Sequence, residues 1–140
     1  MTTLLRISED ASLALHAMAL LARHEGRYLS TAEIADVLHA SEHTLAKVLQ
    51  RLSRSGLVLS TRGPHGGFVL GESANEIRLL DIYEAVEGVL GRAGCLLGTP
   101  VCSGKGCVLG GLVESVHRQV ADFFSQTTLA ELAAKVEIQV

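Results

Sequence analysis

Tryptophan is absent from this 140-residue chain, and aromatic residues make up only 4% of it. The core must therefore be filled by Leu, Val, Ile and Ala. The hydrophobic content is 48% and the charged content 19%, which describes a folded globular protein rather than a disordered one. No apolar run approaches the ~18 residues of a membrane span, since the longest, Leu13 to Ala22, is interrupted by His16. A secretory leader is equally hard to find: a single Arg6 is followed at once by Glu9 and Asp10, and no cleavage site precedes Arg23 and His24. The expectation is a cytoplasmic protein whose thiols stay reduced and which does not engage a membrane. Cysteine is scarce and odd in number. Cys95, Cys102 and Cys107 are the only three and fall within thirteen residues, which speaks against a disulfide framework. An excess of positive charge is also missing, and a net charge of -3 over the whole chain argues against nucleic acid as a partner. The length fits one domain, or a domain with an appendage, with a core that needs no disulfide or metal to hold it.

What is present is mostly helical in period. From Ser8 to His24, Ala11, Ala14, Leu15, Met18 and Leu21 form one stripe and Leu13, Ala17 and Leu20 a second, so this helix is buried on two sides. Gly26 marks its exit. Ser30 and Glu33 have capping-box spacing and open a short helix, Thr31 to Leu38. Three residues later Ser41 caps a third helix running to about Ser55, with Leu45, Val48, Leu49 and Leu52 on one face and Gly56 at its end. Two short helices joined by a tight turn predict a helix-turn-helix. From Leu57 the period changes to two, and Leu57 to Arg62 and Gly67 to Leu70 flank Gly63-Pro64-His65-Gly66 as a β-hairpin. A hairpin directly after a helix-turn-helix is the wing of a winged-helix domain. A fourth helix begins at Leu79 and closes at Gly88. The stretch from Gly88 to Gly111 carries eight glycines and all three cysteines and is expected to be a loop. Beyond it Leu109, Val113, Val116, Val120 and Phe123 form a heptad seam, which predicts pairing with a second chain. Thr127 or Thr128 then caps a last short helix. The fold class expected is mainly α with a small β-hairpin wing: a winged helix-turn-helix domain over 1–90, a glycine-rich cysteine loop over 91–108, and a dimerisation helix with a C-terminal helix over 109–140.

Dividing the charge by segment changes its meaning. Residues 1–41 carry -2, residues 67–140 carry -4, and residues 42–66 carry +3, with four basic side chains against one acidic. The basic segment is the third helix plus the wing. On that helix His43, Lys47, Gln50, Arg51 and Arg54 lie opposite the apolar stripe. Such a face is by default only solvated. In a helix-turn-helix, however, the second helix enters the major groove, with its N-terminal residues at base edges and later ones at phosphates. This assigns Glu42, His43, Thr44 and Lys47 to base or groove-edge contacts and Arg51 and Arg54 to phosphate. At the wing tip, Arg62 and His65 supply charge and donors for the minor groove. A nucleotide phosphate loop is excluded, because neither the Lys-Ser/Thr pair nor a βαβ unit accompanies these glycines. No paired carboxylates, nucleophile-base pair or cofactor fingerprint points to an enzyme.

The cysteines are spaced Cys-x6-Cys-x4-Cys. Free cysteines are often small buried hydrophobes, but these cluster in a glycine-rich loop. Thiolates suit zinc or an iron-sulfur cluster, and glycines let backbone N–H groups face cluster sulfurs. Cys-x-x-Cys is missing, which excludes dithiol oxidoreductase chemistry. Three cysteines need a fourth ligand.

The helix-turn-helix, the Arg-Gly-Pro-x-Gly-Gly wing from Arg62, the Leu-Leu-Asp-Ile-Tyr-Glu-Ala-Val-Glu-Gly stretch from Leu79 to Gly88 and the three-cysteine loop occur here in order. In this the chain resembles the Rrf-two family of bacterial winged-helix regulators, over roughly Leu5 to Leu132. The resemblance implies a cytoplasmic homodimer that binds palindromic double-stranded DNA operators through the helix beginning near Ser41 and the wing near Arg62. It also implies that Cys95, Cys102 and Cys107 hold an iron-sulfur cluster, 2Fe-2S in preference to 4Fe-4S, that senses redox state, nitric oxide or iron and controls repression. The chain departs from the family pattern in two ways. The middle cysteine is displaced by one residue, and the histidine that some members carry three residues after the last cysteine is here Gly110. Other members take a carboxylate from the first helix of the partner chain, where a gapless alignment puts Ser12, with Glu9 and Asp10 close by. Still others use a histidine after the second helix, a place matched by His39. The fourth ligand stays open among these four. Zinc, thiol oxidation without iron, and a protein partner are the competing sensing modes for the same fold.

Overall fold

The computed structural model describes residues 7–91, 101 and 107–138. The helix starts follow their caps. Helix α1 (Glu9–Arg23) begins where Ser8 Oγ accepts from the Ala11 amide at 3.1 Å. Helix α2 (Thr31–Leu38) opens with a complete capping box between Ser30 and Glu33. Helix α3 (Glu42–Arg54) is capped by Ser41, which accepts from the Thr44 amide. Strands β1 (Val58–Thr61) and β2 (Gly67–Leu70) pair antiparallel, Val58 opposite Leu70 and Thr61 opposite Gly67. Helices α4 (Leu79–Glu87), α5 (Val108–Gln126) and α6 (Leu129–Lys135) complete the order. The helix-turn-helix, the wing and the mainly α class are as the sequence predicts.

One core serves all of these elements. Helix α1 runs through it, with Ala11, Ala14, Ala17, Met18, Leu20 and Leu21 buried on two sides, against α3 (Leu45, Leu49, Leu52), α4 (Leu79, Ile82, Val86) and α6 (Leu129). Small alanines let α1 approach its neighbours, which is how a core with few aromatics packs closely. Tyr83 and Phe124, 5.7 Å apart between ring centroids, fasten α5 to α4.

Helix α5 does not present the expected seam as one face. Val113 is buried and Val120 packs against the chain's own core, whereas Leu109 and Phe123 are exposed and Val116 is half-buried. The outward apolar row is Leu109, Leu112, Val116 and Phe123, spaced 3, 4 and 7. The helix is apolar on two sides, and the heptad count alone could not say which residues belong to which.

Candidate DNA-binding face and cysteine site

Helix α3 separates its residues sharply. Leu45, Val48, Leu49 and Leu52 are buried, while Glu42, His43, Lys47, Gln50, Arg51 and Arg54 are exposed and Thr44 is half-buried. The α2–α3 turn is made by His39, which adopts left-handed backbone (φ 51°, ψ 42°) and ends α2, and by Ala40, whose amide bonds Ala35 O. That turn sets the angle at which α3 leaves the core.

The wing follows α3 directly, and β1 packs against it. Its tip is tight, with the Gly66 amide donating to Gly63 O at 3.0 Å, and Arg62, Pro64 and His65 are exposed around it. The glycines here have a steric reason. A Cβ on Gly66 would lie 2.3 Å from Thr61 O, and one on Gly67, whose φ is +145°, would lie 2.3 Å from Leu29 O. The second contact reflects a feature that periodicity did not signal: Leu29, between α1 and α2, exchanges both backbone hydrogen bonds with Phe68. One isolated residue pair cannot be seen as a strand in sequence, yet it ties the wing root to the start of α2. Strand β2 is thereby flanked on both sides, by β1 and by Leu29, and Arg62 and His65 lie at the tip beyond it.

Of the cysteines, Cys95 and Cys102 lie outside the described residues. Cys107 is exposed and forms the N-cap of α5, its Sγ accepting from the Gly110 amide at 3.2 Å. A Cβ at position 110 would stand 3.4 Å from Cys107 Cβ and 3.6 Å from Sγ, so glycine leaves the sulfur unshielded on that side. At this helix N-terminus one backbone N–H, that of Gly110, points at the sulfur. This donor set therefore fits a thiolate ligand. The four candidate fourth ligands divide between two places. Glu9, exposed, and Asp10, half-buried, are in the first turn of α1, with half-buried Ser12 just beyond, while His39 is exposed at the end of α2. Among the described residues no three His, Cys, Asp or Glu side chains gather around a common point.

Four polar contacts of this region were missed in the sequence because each joins distant elements. Arg51 Nη1 donates to Val86 O at 3.0 Å and lies 3.7 Å from Asp10 Oδ2. Ser8 Oγ donates to Glu87. His117, on α5, makes a hydrogen bond with Gly91 O, four residues before Cys95. His117 stands ten residues beyond Cys107 on α5, about 15 Å along the helix axis, too far to share a ligand sphere with it.

A helix-turn-helix with a braced wing and an exposed polar recognition face defines a winged-helix DNA-binding regulator. The chain belongs to the Rrf2 family, described as iron-dependent transcriptional regulators, whose model matches residues 7–135. It is 35% identical over 128 residues to a protein of Aquifex aeolicus described as an HTH-type transcriptional regulator, covering 89% of each chain. It is 32% identical to the HTH-type transcriptional regulator IscR of Pectobacterium carotovorum, covering 81% of this chain and 79% of that one. Among solved structures it is similar to CymR, the global cysteine regulator of B. subtilis (TM-score 0.79, 30% identity, 95% and 99% of the two chains). It is also similar to IscR of T. potens (TM-score 0.72, 26% identity, 95% and 89%). The function class is thus DNA-binding transcription regulation, not catalysis. No helix among the described residues is long and apolar enough to cross a membrane.

Proposed function

We propose that the chain is a homodimeric repressor that binds a palindromic operator through α3 and the wing, and that Cys95, Cys102 and Cys107 set its operator affinity by holding an iron-sulfur cluster, 2Fe-2S in preference to 4Fe-4S. The observation that carries this reading is Cys107, exposed at the N-terminus of α5 with a backbone N–H on its sulfur. The IscR relatives support it. Such a cluster supplies a centre whose redox state and integrity respond to oxidants, nitric oxide and iron supply. The fourth ligand is sought among His39, Asp10, Glu9 and Ser12.

Residues 1–90 would bind DNA, 91–108 sense, and 109–140 dimerise. Glu42, His43, Thr44 and Lys47 reach base edges or the groove wall, Arg54 a phosphate, and Arg62 and His65 the minor groove. The outward row of α5, Leu109, Leu112, Val116 and Phe123, is the surface on which a second copy would pack, because large apolar side chains at heptad spacing are otherwise left in water. A dimer reads two half-sites only if its recognition helices stand about 34 Å apart. Because Cys107 begins the pairing helix, the state of the cysteine loop can bias that spacing, provided its ligand binds the two arrangements unequally.

A second reading, thiols acting without iron or with zinc alone, is favoured by the likeness to CymR and by glycine at position 110. The ultraviolet-visible spectrum of anaerobically purified protein, with iron, sulfide and zinc analysis, separates the two. Visible absorption with iron and sulfide is expected, and Cys102→Ala should keep the protein folded and dimeric while removing the colour. Colourless wild-type protein would move the assignment to zinc or free thiols.

A further inference from the structure

Sequence position puts Arg51 among the phosphate-binding side chains of the recognition helix, but its contacts face the other way. Its Nη1 donates to Val86 O, one of the last carbonyls of α4, at 3.0 Å. That helix ends at Glu87, which leaves its terminal carbonyls without helical partners, and it has no basic residue of its own in the last turn to cap them. A guanidinium from α3 satisfies one of them and complements the negative end of the helix dipole. Asp10 Oδ2 stands 3.7 Å from the same nitrogen. Glu87, next to Val86, is held by Ser8, the N-cap of α1. The start of α1, the end of α3 and the end of α4 therefore meet around one arginine. From Glu87 the chain passes through Gly88 and Leu90, which packs against the core, to Gly91, whose carbonyl is held by His117 on α5. Cys95 follows four residues later.

We propose that Arg51 is a positioning residue that joins the recognition helix to the root of the cysteine loop and does not hold a phosphate. The Asp10 carboxylate stands 3.7 Å from its Nη1, and the carbonyl it binds belongs to the residue before Glu87, a setting that disfavours a phosphate. Arg54, three residues on and exposed, has no hydrogen-bond or ion-pair partner among the described residues and is the free cation of this turn. The exposed Arg51–Asp10 pair is weak by itself. The bond to Val86 O is the stronger half, since it satisfies a helix-terminal carbonyl with a charged donor. Through it a displacement of the α4 end, where the loop is rooted, moves the C-terminal turn of α3. The proposal rests on the preceding reading only in giving this link a regulatory use; the contact itself is tested without metal or thiol chemistry.

The test compares full-length wild-type, Arg51→Gln, Arg51→Lys and Arg54→Gln proteins in two measurements. Operator-duplex affinity over a salt series counts phosphate contacts, and amide hydrogen exchange of the free proteins reports on Gly88 to Gly91. Arg54→Gln should lower the salt slope by about one unit and leave exchange alone. Arg51→Gln and Arg51→Lys should keep the wild-type slope and speed exchange at Gly88 to Gly91 by about tenfold. Lysine keeps the charge, so a contact with a phosphate in open solvent would survive it, whereas its ammonium ends one bond short of the Nη1 that makes both contacts to Val86 O and Asp10. A lowered slope in Arg51→Gln that lysine restores, or unchanged exchange in both Arg51 variants, overturns the proposal. If the glutamine variant does not fold, the lysine variant carries the exchange comparison alone. Failure of the cysteine reading appears separately, as colourless wild-type protein, and leaves these slopes and exchange rates as they are.

Discussion

His39 is the one non-glycine residue among those described that adopts left-handed backbone. For an L-residue that conformation costs about 1–2 kcal/mol, while glycine would cost about 0.5–1 kcal/mol in unfolded-state entropy. His39→Gly should therefore raise stability by about 0.5 kcal/mol, read as a higher urea midpoint with an unchanged m value. A lower midpoint would mean that the imidazole makes a stabilising contact of its own. Arg62, exposed at the wing tip, carries a different kind of prediction. With β2 flanked by β1 and Leu29, Arg62→Ala should leave the fold intact, weaken operator binding and lower the salt slope by about one unit. Equal affinities for the two proteins at two salt concentrations would remove Arg62 from the interface.

Helix boundaries were legible at the element scale because caps are local chemistry. Ser8, Ser30 and Ser41 each accept an amide within three residues of themselves, so the signal and its consequence lie in the same stretch of chain. Thr128 does the same for α6, accepting from the Glu131 amide at 3.2 Å while Glu131 Oε2 accepts from the Thr128 amide at 3.1 Å. At its other end Arg23 of α1 donates to Ala133 O and Val136 O. A helix of seven residues depends on such terminal bonds and on the burial of Leu129. Thr128→Ala should cost about 1 kcal/mol of global stability, because α6 belongs to the single core and cannot fray without exposing Leu129. Loss confined to local fraying, with an unchanged thermal midpoint, would show that α6 is dispensable to that core.

At the scale of the whole molecule, α5 is the element that must serve two surfaces. Val113, Val120 and Phe124 face inward, with Phe124 against Tyr83, while Leu112 (54% exposed) and Phe123 (58% exposed) face out. Substitutions on the two faces should separate two properties. Leu112→Glu should convert the proposed dimer to a folded monomer in sedimentation analysis with little change in thermal midpoint, since its side chain is already in water within one chain. Operator affinity should fall with it, because one half-site is lost. A Leu112→Glu protein that still sediments as a dimer would place the interface elsewhere.

Legible from sequence were the elements, the caps of α2, α3 and α6, the winged-helix order, the confinement of positive charge to α3 and the wing, and the clustering of cysteines. Each of these depends on residues close together along the chain, where period and spacing carry the physics. How the two apolar sides of α5 are divided, that Leu29 braces the wing, and that Arg51 turns to the end of α4 and Asp10 emerge from packing alone. These depend on which distant backbone groups are left without partners when the elements pack. Helical periodicity gives the direction of a side chain about its own axis, but not what stands there to receive it.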